Sequence, residues 1–229
     1  MKYFFTAPET PSNFTASVLN STAIFVSWRS PLVTNGIILV YDLIHTNTSE
    51  DCDDDTITPV PVTITAIPGQ IGYNTTLTGL LPYTAYKLCV QARTAAGPGN
   101  FSLMTVTTYP GSSTPPTNLN VTFVNSTSVE LRWGYPETPR GPIQGYLITH
   151  NASLMENVEN TIILTNNTVV VNITISTNGT GTRSYTISGL MAYVTYFFSV
   201  RAYSYLPDND GPLYGDAAVQ MITTAQSCE

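Results

Sequence analysis

Ile24-Phe25-Val26-Ser27-Trp28 and Val129-Glu130-Leu131-Arg132-Trp133 decide the fold. In each stretch alternate residues are large and apolar: Ile24, Val26 and Trp28 in the first, Val129, Leu131 and Trp133 in the second, with Glu130 and Arg132 set between them. A period of two places such residues on one face of a β-strand, against a core. The stretches lie 105 residues apart, and the same offset carries Pro11 to Pro116, Asn20-Ser21-Thr22 to Asn125-Ser126-Thr127, Pro31 to Pro136, Gly36 to Gly141, Tyr41 to Tyr146 and His45 to His150 without a gap. Further on the offset grows to 110, pairing Gly79-Leu80 with Gly189-Leu190 and Tyr86 with Tyr196. Thr107-Thr108 and Thr223-Thr224 close the two copies. So many positions in one order identify an internal duplication.

Each copy supplies further inward rows. Tyr41, Leu43 and His45 share a face, as do Tyr146, Ile148 and His150. Tyr86, Leu88, Val90 and Ala92 form another row, matched by Tyr196, Phe198, Val200 and Ala202. Asn35-Gly36, Pro68-Gly69, Gly97-Pro98-Gly99, Gly141-Pro142 and Gly211-Pro212 punctuate the strands as turns. No window holds a sustained helical period, and Thr, Tyr, Val and Ile favour pleated surfaces. The chain reads as all-β.

Its 229 residues suit two domains of roughly 100 residues each. Only 10% of residues are charged, against about 25% in ordinary domains, and Ser, Thr and Asn supply the polarity instead. A net charge of −7, with two lysines and scattered arginines, argues against a nucleic acid partner, which needs clustered cations. The longest apolar run, from Gly36 to Ile44, is broken by Asp42 and is shorter than the ~20 residues that span a bilayer. The sequence therefore predicts no direct membrane insertion within this segment. Met1 to Ala7 is too short for a secretory leader, so an exported chain would be represented here by a fragment.

A proline opening the first strand, a tryptophan on the second, a tyrosine on the third and Leu80-Leu81-Pro82-Tyr83-Thr84-Ala85-Tyr86 before a later strand together resemble fibronectin type III domains. The resemblance implies two tandem seven-stranded antiparallel immunoglobulin-like β-sandwiches, over 8–109 and 116–225, with 110–115 as a linker that extends the pair and allows some swivel. It also implies that Tyr86 forms a tyrosine corner, its hydroxyl bonding back to upstream backbone. The second copy reads Leu190-Met191-Ala192-Tyr193-Val194-Thr195-Tyr196, and Ala192 and Val194 depart from the pattern, which predicts a less rigid turn. Trp28, Trp133, Tyr41, Tyr146, Tyr86 and Tyr196 are read as core and corner residues.

The N-x-S/T acceptor pattern for N-linked glycans occurs at Asn13, Asn20, Asn47, Asn74, Asn100, Asn120, Asn125, Asn151, Asn166, Asn172 and Asn178. These eleven account for most of the seventeen asparagines, an excess that points to a secreted or membrane-anchored extracellular chain. Asn20 and Asn125 stand out because both occupy the same turn of the duplication, while Asn13 and Asn172 fall within expected strands.

Cys52, Cys89 and Cys228 have no zinc or redox spacing. Strand parity turns Cys89 outward, where Cys52 either folds back to form a disulfide or stays too distant to bridge. Cys228 is left over, for a partner beyond this segment or an interchain bond. The run Glu50-Asp51-Cys52-Asp53-Asp54-Asp55 lacks the spacing of a calcium loop. It reads as a solvated acidic loop guarding a strand edge, with a basic partner surface as the alternative.

Two contact surfaces for another protein are expected. Ile38, Val40 and Ile44 form an outward β-branched row beside Cys89, which either meets a partner or is covered by the following loop, the disulfide or a glycan. The segment from Tyr203 to Tyr214 presents Tyr203, Tyr205, Leu206 and Tyr214 next to Asp208 and Asp210. No Arg-Gly-Asp tripeptide is present. The only histidines, His45 and His150, are duplicated at inward positions, and neither a nucleophile elbow nor a phosphate loop accompanies them. The sequence thus predicts no enzyme, no cofactor and no metal site. The family resemblance implies a protein-binding part of an adhesion or receptor ectodomain. The alternatives are a glycosylated spacer stalk, or an accessory module of a receptor or secreted enzyme.

Overall fold

The computed structural model describes residues 6–47, 52, 61–153, 171–174, 181–207 and 211–224. The chain divides into two compact units, Met1–Tyr109 and Pro110–Glu229. The first unit runs through β1 (Ser12–Asn20), β2 (Ala23–Arg29), β3 (Val40–Thr46), β4 (Val62–Thr65), β5 (Gly72–Thr78), β6 (Ala85–Thr94), the two-residue β7 (Gly97–Pro98) and β8 (Ser102–Thr107). One sheet has the order β1-β2-β5; the other has the order β4-β3-β6, with β7 and β8 sharing the far edge of β6. The second unit repeats the plan with β9 (Asn120–Asn125), β10 (Ser128–Trp133), β11 (Gly145–Ser153), β12 (Val171–Thr174), β13 (Arg183–Ser188), β14 (Thr195–Tyr205) and β15 (Pro212–Thr223). Its sheets are β9-β10-β13 and β12-β11-β14-β15. All pairings are antiparallel.

The alternating rows meet between the sheets of each unit. Ile24, Val26 and Trp28 from β2 pack with Tyr41 and Leu43 from β3 and with Leu88 and Val90 from β6. Val129, Leu131 and Trp133 do the same with Tyr146, Ile148, Phe198 and Val200. Each tryptophan meets the edge of the following tyrosine, at 5.7 Å for Trp28 and Tyr41 and 5.4 Å for Trp133 and Tyr146. That geometry suits the aromatic quadrupole. Losing either indole would cost roughly 3–5 kcal/mol, much of the 5–15 kcal/mol that holds an ordinary domain together.

The link between the sheets is the same in both units. The Leu81 N–H donates to Tyr86 Oη at 2.8 Å, and the Met191 N–H donates to Tyr196 Oη at 2.9 Å. Buried threonines then tie the last strand to this corner. Thr108 Oγ1 accepts from the Thr84 N–H and donates to Leu81 O, and Thr224 Oγ1 accepts from the Val194 N–H and donates to Met191 O. Ala192 and Val194 therefore leave the corner bonds of the second unit in place: these bonds use main-chain groups that any residue supplies.

Left-handed backbone is duplicated as well. Asn13 and Asn118, Asn35 and Arg140, and Tyr83 and Tyr193 all have φ between 48° and 59°, each pair at the offset of the repeat. Gly79 and Gly189, at φ 75° and 80°, let the chain turn so that the next amide, of Leu80 or Leu190, reaches the carbonyl of Thr22 or Thr127. A Cβ there would be strained.

Residues 110–115, expected to act as a linker, are hydrogen-bonded along the second unit. The Gly111 N–H donates to Arg140 O, the Thr114 N–H to Thr138 O and the Asp216 N–H to Ser113 O.

Substituting Tyr86→Phe or Tyr196→Phe removes only the corner acceptor and strands one amide. We expect a loss of about 1–2 kcal/mol in either case, read by denaturant unfolding. An equal loss in the two copies would show that Ala192 and Val194 do not weaken the second corner.

Candidate functional site

On the outer face of the first unit's larger sheet, β3 and β6 bring Asp42 opposite Gln91, and Ile44 opposite Cys89. Cys89 is bonded to Cys52, with their Cα atoms 6.4 Å apart, and is fully buried. Asp42 is also buried although it points outward: Arg93 donates to its Oδ2 from Nε at 3.0 Å and Nη2 at 2.7 Å, and Thr63 donates to Oδ1 at 3.2 Å. Ile44 and Val40 are half-buried there. Ile38 is a correction to the outward row: it packs against the core cluster. It precedes β3, so strand alternation does not extend to it, and Ile37 and Leu39 on either side carry the exposure instead.

Tyr203 is a second correction. The segment expected to be a long loop is mostly hairpin, because β14 continues to Tyr205 and β15 begins at Pro212. Tyr203 is 5% exposed. It pairs with Gly145 on one side, where no side chain competes for space, and with Tyr214 on the other, just past a bulge. Rings of Tyr205 and Tyr214 meet it edge-on at 5.7 and 6.0 Å. Tyr205 and Tyr214 remain exposed and Leu206 half-buried, so a smaller tyrosine surface survives. Asp208 and Asp210 lie outside the described residues, as do Asn166, Asn178, Cys228 and the acidic run apart from Cys52.

A surface that strand reasoning missed lies at one end of the first unit. Leu32 is 90% exposed and Ile37 80%, and Val33, Leu39, Ile67 and Ile71 are exposed with them. Ile37 borders two shallow concavities, one reaching Ile67, Pro68 and Tyr73 and the other reaching Thr94, Ala95 and Ala96. Backbone bonds fix these loops: Leu39 N–H to Arg93 O, Ala66 N–H to Leu39 O, Ser30 N–H to Ile71 O and Glu9 N–H to Val33 O. The repeat itself held the signal. The positions of Leu32, Val33, Ile37 and Leu39 are taken in the second copy by Glu137, Thr138, Pro142 and Gln144, so the sandwich does not require apolar residues there.

The family model for the Fibronectin type III domain matches residues 9–108 and again 114–207. The chain belongs to this family. Among relatives, it is 28% identical to Protein sidekick-2 of Gallus gallus over 94% of this chain. It is 26% identical to human Neogenin over 96% and 34% identical to Phosphatidylinositol phosphatase PTPRQ of Rattus norvegicus over 62%. It spans only 9%, 13% and 6% of those proteins' own lengths.

The acceptor asparagines decorate both fibronectin type III domains. Asn13, Asn20, Asn47, Asn74, Asn100, Asn120, Asn125 and Asn151 are all exposed. In the matched turns, Thr22 donates to Asn20 Oδ1 from N at 2.8 Å and Oγ1 at 3.2 Å, and Thr127 repeats this on Asn125 at 2.9 and 3.2 Å. Asn172 lies on β12, opposite Leu147.

The histidines belong to the packing of the two corners. His45 lies 6.0 Å from the Tyr86 ring, and His150 lies 5.9 Å from Tyr196 and 5.8 Å from Phe198. Burial lowers both imidazole pKa values below the usual 6.5. Burial likewise pushes the Tyr146 phenol up to about 12, against the opposing pull of Arg183. Among the described residues no cluster of His, Cys, Asp or Glu could hold a metal, and no helix is long and apolar enough to cross a membrane.

Cys52 and Cys89 should resist alkylation in denatured, unreduced protein from an oxidising host, and Cys52→Ser should cost about 2–4 kcal/mol. Both domains should also lose stability as pH falls below 6.5, because the unfolded imidazoles take up protons before the buried ones do. His45→Phe and His150→Phe should flatten that fall in thermal melts recorded across pH.

Proposed function

We propose that this tandem pair is a protein-binding segment of the extracellular part of an adhesion protein or receptor. The carrying observation is the apolar loop end of the first domain around Leu32, Ile37 and Ile67, exposed yet held in place by backbone bonds. Exposed apolar patches on soluble domains mark contact sites, and fixed loops lose little entropy on docking. The Cys52–Cys89 disulfide and the exposed acceptor asparagines support an oxidising, glycosylating compartment. The names of the relatives, which include a sidekick protein, Neogenin and a phosphatase, support a module of a larger surface protein. Tyr205, Leu206 and Tyr214 offer a second contact in the other domain.

A spacer stalk is the competing reading, favoured by the spread of acceptor asparagines over both domains. Binding of an Fc-fused pair to an array of cell-surface ectodomains separates the two. The protein-binding reading expects a specific partner whose capture is lost with Leu32→Asp and Ile37→Asp, while the melting temperature holds, since both sites are exposed. No partner at all, or capture indifferent to these changes, would leave the stalk.

A further inference from the structure

We propose that Asn151 carries an N-linked glycan whose first sugar lies on Phe197 and shields an apolar row on the outer sheet face of the second domain. The inference rests on the extracellular reading above and adds a specific occupant for a specific surface. Phe197 is 42% exposed, Met221 59% and Val219 62%. β14 and β15 set Phe197 directly opposite Met221, and Ser199 opposite Val219, so the three side chains form one patch near the sheet's free edge. On the other side of Phe197, its partner on β11 is Asn151, the exposed acceptor of Asn151-Ala152-Ser153. Directly paired residues hold their Cβ atoms about 5 Å apart, within the breadth of one sugar ring.

The duplication argues that the two features belong together. The first copy has Thr46 where the second has Asn151, and there Lys87, paired with Thr46 and with Thr105, stands in the place of Phe197, while Leu103, opposite Cys89, keeps an exposed apolar residue in the place of Val219. The acceptor and the aromatic ring directly beside it are both present at these positions in one copy and both missing in the other. Four other paired acceptors face different neighbours: Asn20 faces Ala23, Asn74 faces Ser27, Asn120 faces Arg132 and Asn125 faces Ser128. Asn151 faces the aromatic ring. The electron-rich face of that ring attracts the C–H face of a hexosamine, and the glycan's hydroxyls then present a wet surface in place of a sheet edge open to association.

In the modification step, Asn151 Nδ2 bonds to C1 of an oligosaccharide supplied as a polyprenyl pyrophosphate. The C1–O bond breaks, the lipid pyrophosphate leaves and the amide gives up one proton.

The test uses the whole chain secreted from a glycosylating host, with glycopeptide mapping of every acceptor. The proposal expects sugar on Asn151, and a rise in hydrophobic-dye binding and self-association in Asn151→Gln. Asn151→Gln/Phe197→Thr should return both to the wild-type level. Trimming the wild-type glycan to its first sugar should leave dye binding low, and Phe197→Thr alone should lower the second domain's melting midpoint by roughly 2–5 °C. Sugar on Asn20 or Asn125 with Asn151 bare would overturn this proposal while sparing the extracellular reading, whereas sugar nowhere would end both. A glycosylated wild type that already dimerises, with Phe197→Thr abolishing the dimer, would give the face to a second copy and overturn the shield.

Discussion

One hydroxyl per domain sets the frame. Tyr86 and Tyr196 each take an amide proton from the turn that carries the chain from one sheet to the other, and a threonine from the last strand locks onto the same turn. Crossing between sheets leaves backbone groups without a ladder partner, and an unpaired buried amide costs as much as a lost bond. The corner satisfies those groups where the chain crosses from one sheet to the other. The histidine whose ring packs at an angle against each corner tyrosine adds to the same cluster, which explains why it recurs without a catalytic partner.

With the frame fixed from inside, the outer sheet faces are free to diverge. In the first domain the outward middle of the sheet is a carboxylate clamped by Arg93 next to a disulfide. In the second, Leu147 replaces Asp42, Ser199 replaces Cys89 and Tyr203 replaces Arg93. An ion pair and a covalent bond thus give way to an aromatic cluster built over Gly145. Each solution covers the sheet by different chemistry, and each leaves different apolar groups in water.

Alternation in sequence made the core legible, because every inward residue from Ile24 to Val200 repeats at a spacing that only a half-buried strand needs. The corner was legible from a single tyrosine and its duplicate. Misreadings fell where alternation stops. Ile38 sits in a loop before β3, and Tyr203 lies beyond a bulge, where a neighbouring glycine makes room for its ring. The exposed loop end escaped because loop residues obey no period. It becomes visible on setting Leu32 and Ile37 against Glu137 and Pro142, where one copy shows what the fold tolerates and the other what it does not require. The pairing of Cys89 with Cys52 needed the path of the chain in space, since parity gave only the direction of Cys89.

The last strand of each copy bears on mechanics. In the second domain β15 is a single strand of twelve residues along β14, its ladder interrupted by one bulge between Ala217 and Tyr214. In the first it is split into two residues of β7 and six of β8, with Gly99 between them pressed close to Pro8. Antiparallel strands loaded end to end resist in shear through the length of ladder that must break together, and a split ladder yields in two smaller steps. Both domains divide this ladder at the same place, into a longer run beside the corner and a shorter one beyond the break, so a tandem pulled along its chain would meet the same two-step resistance in each link.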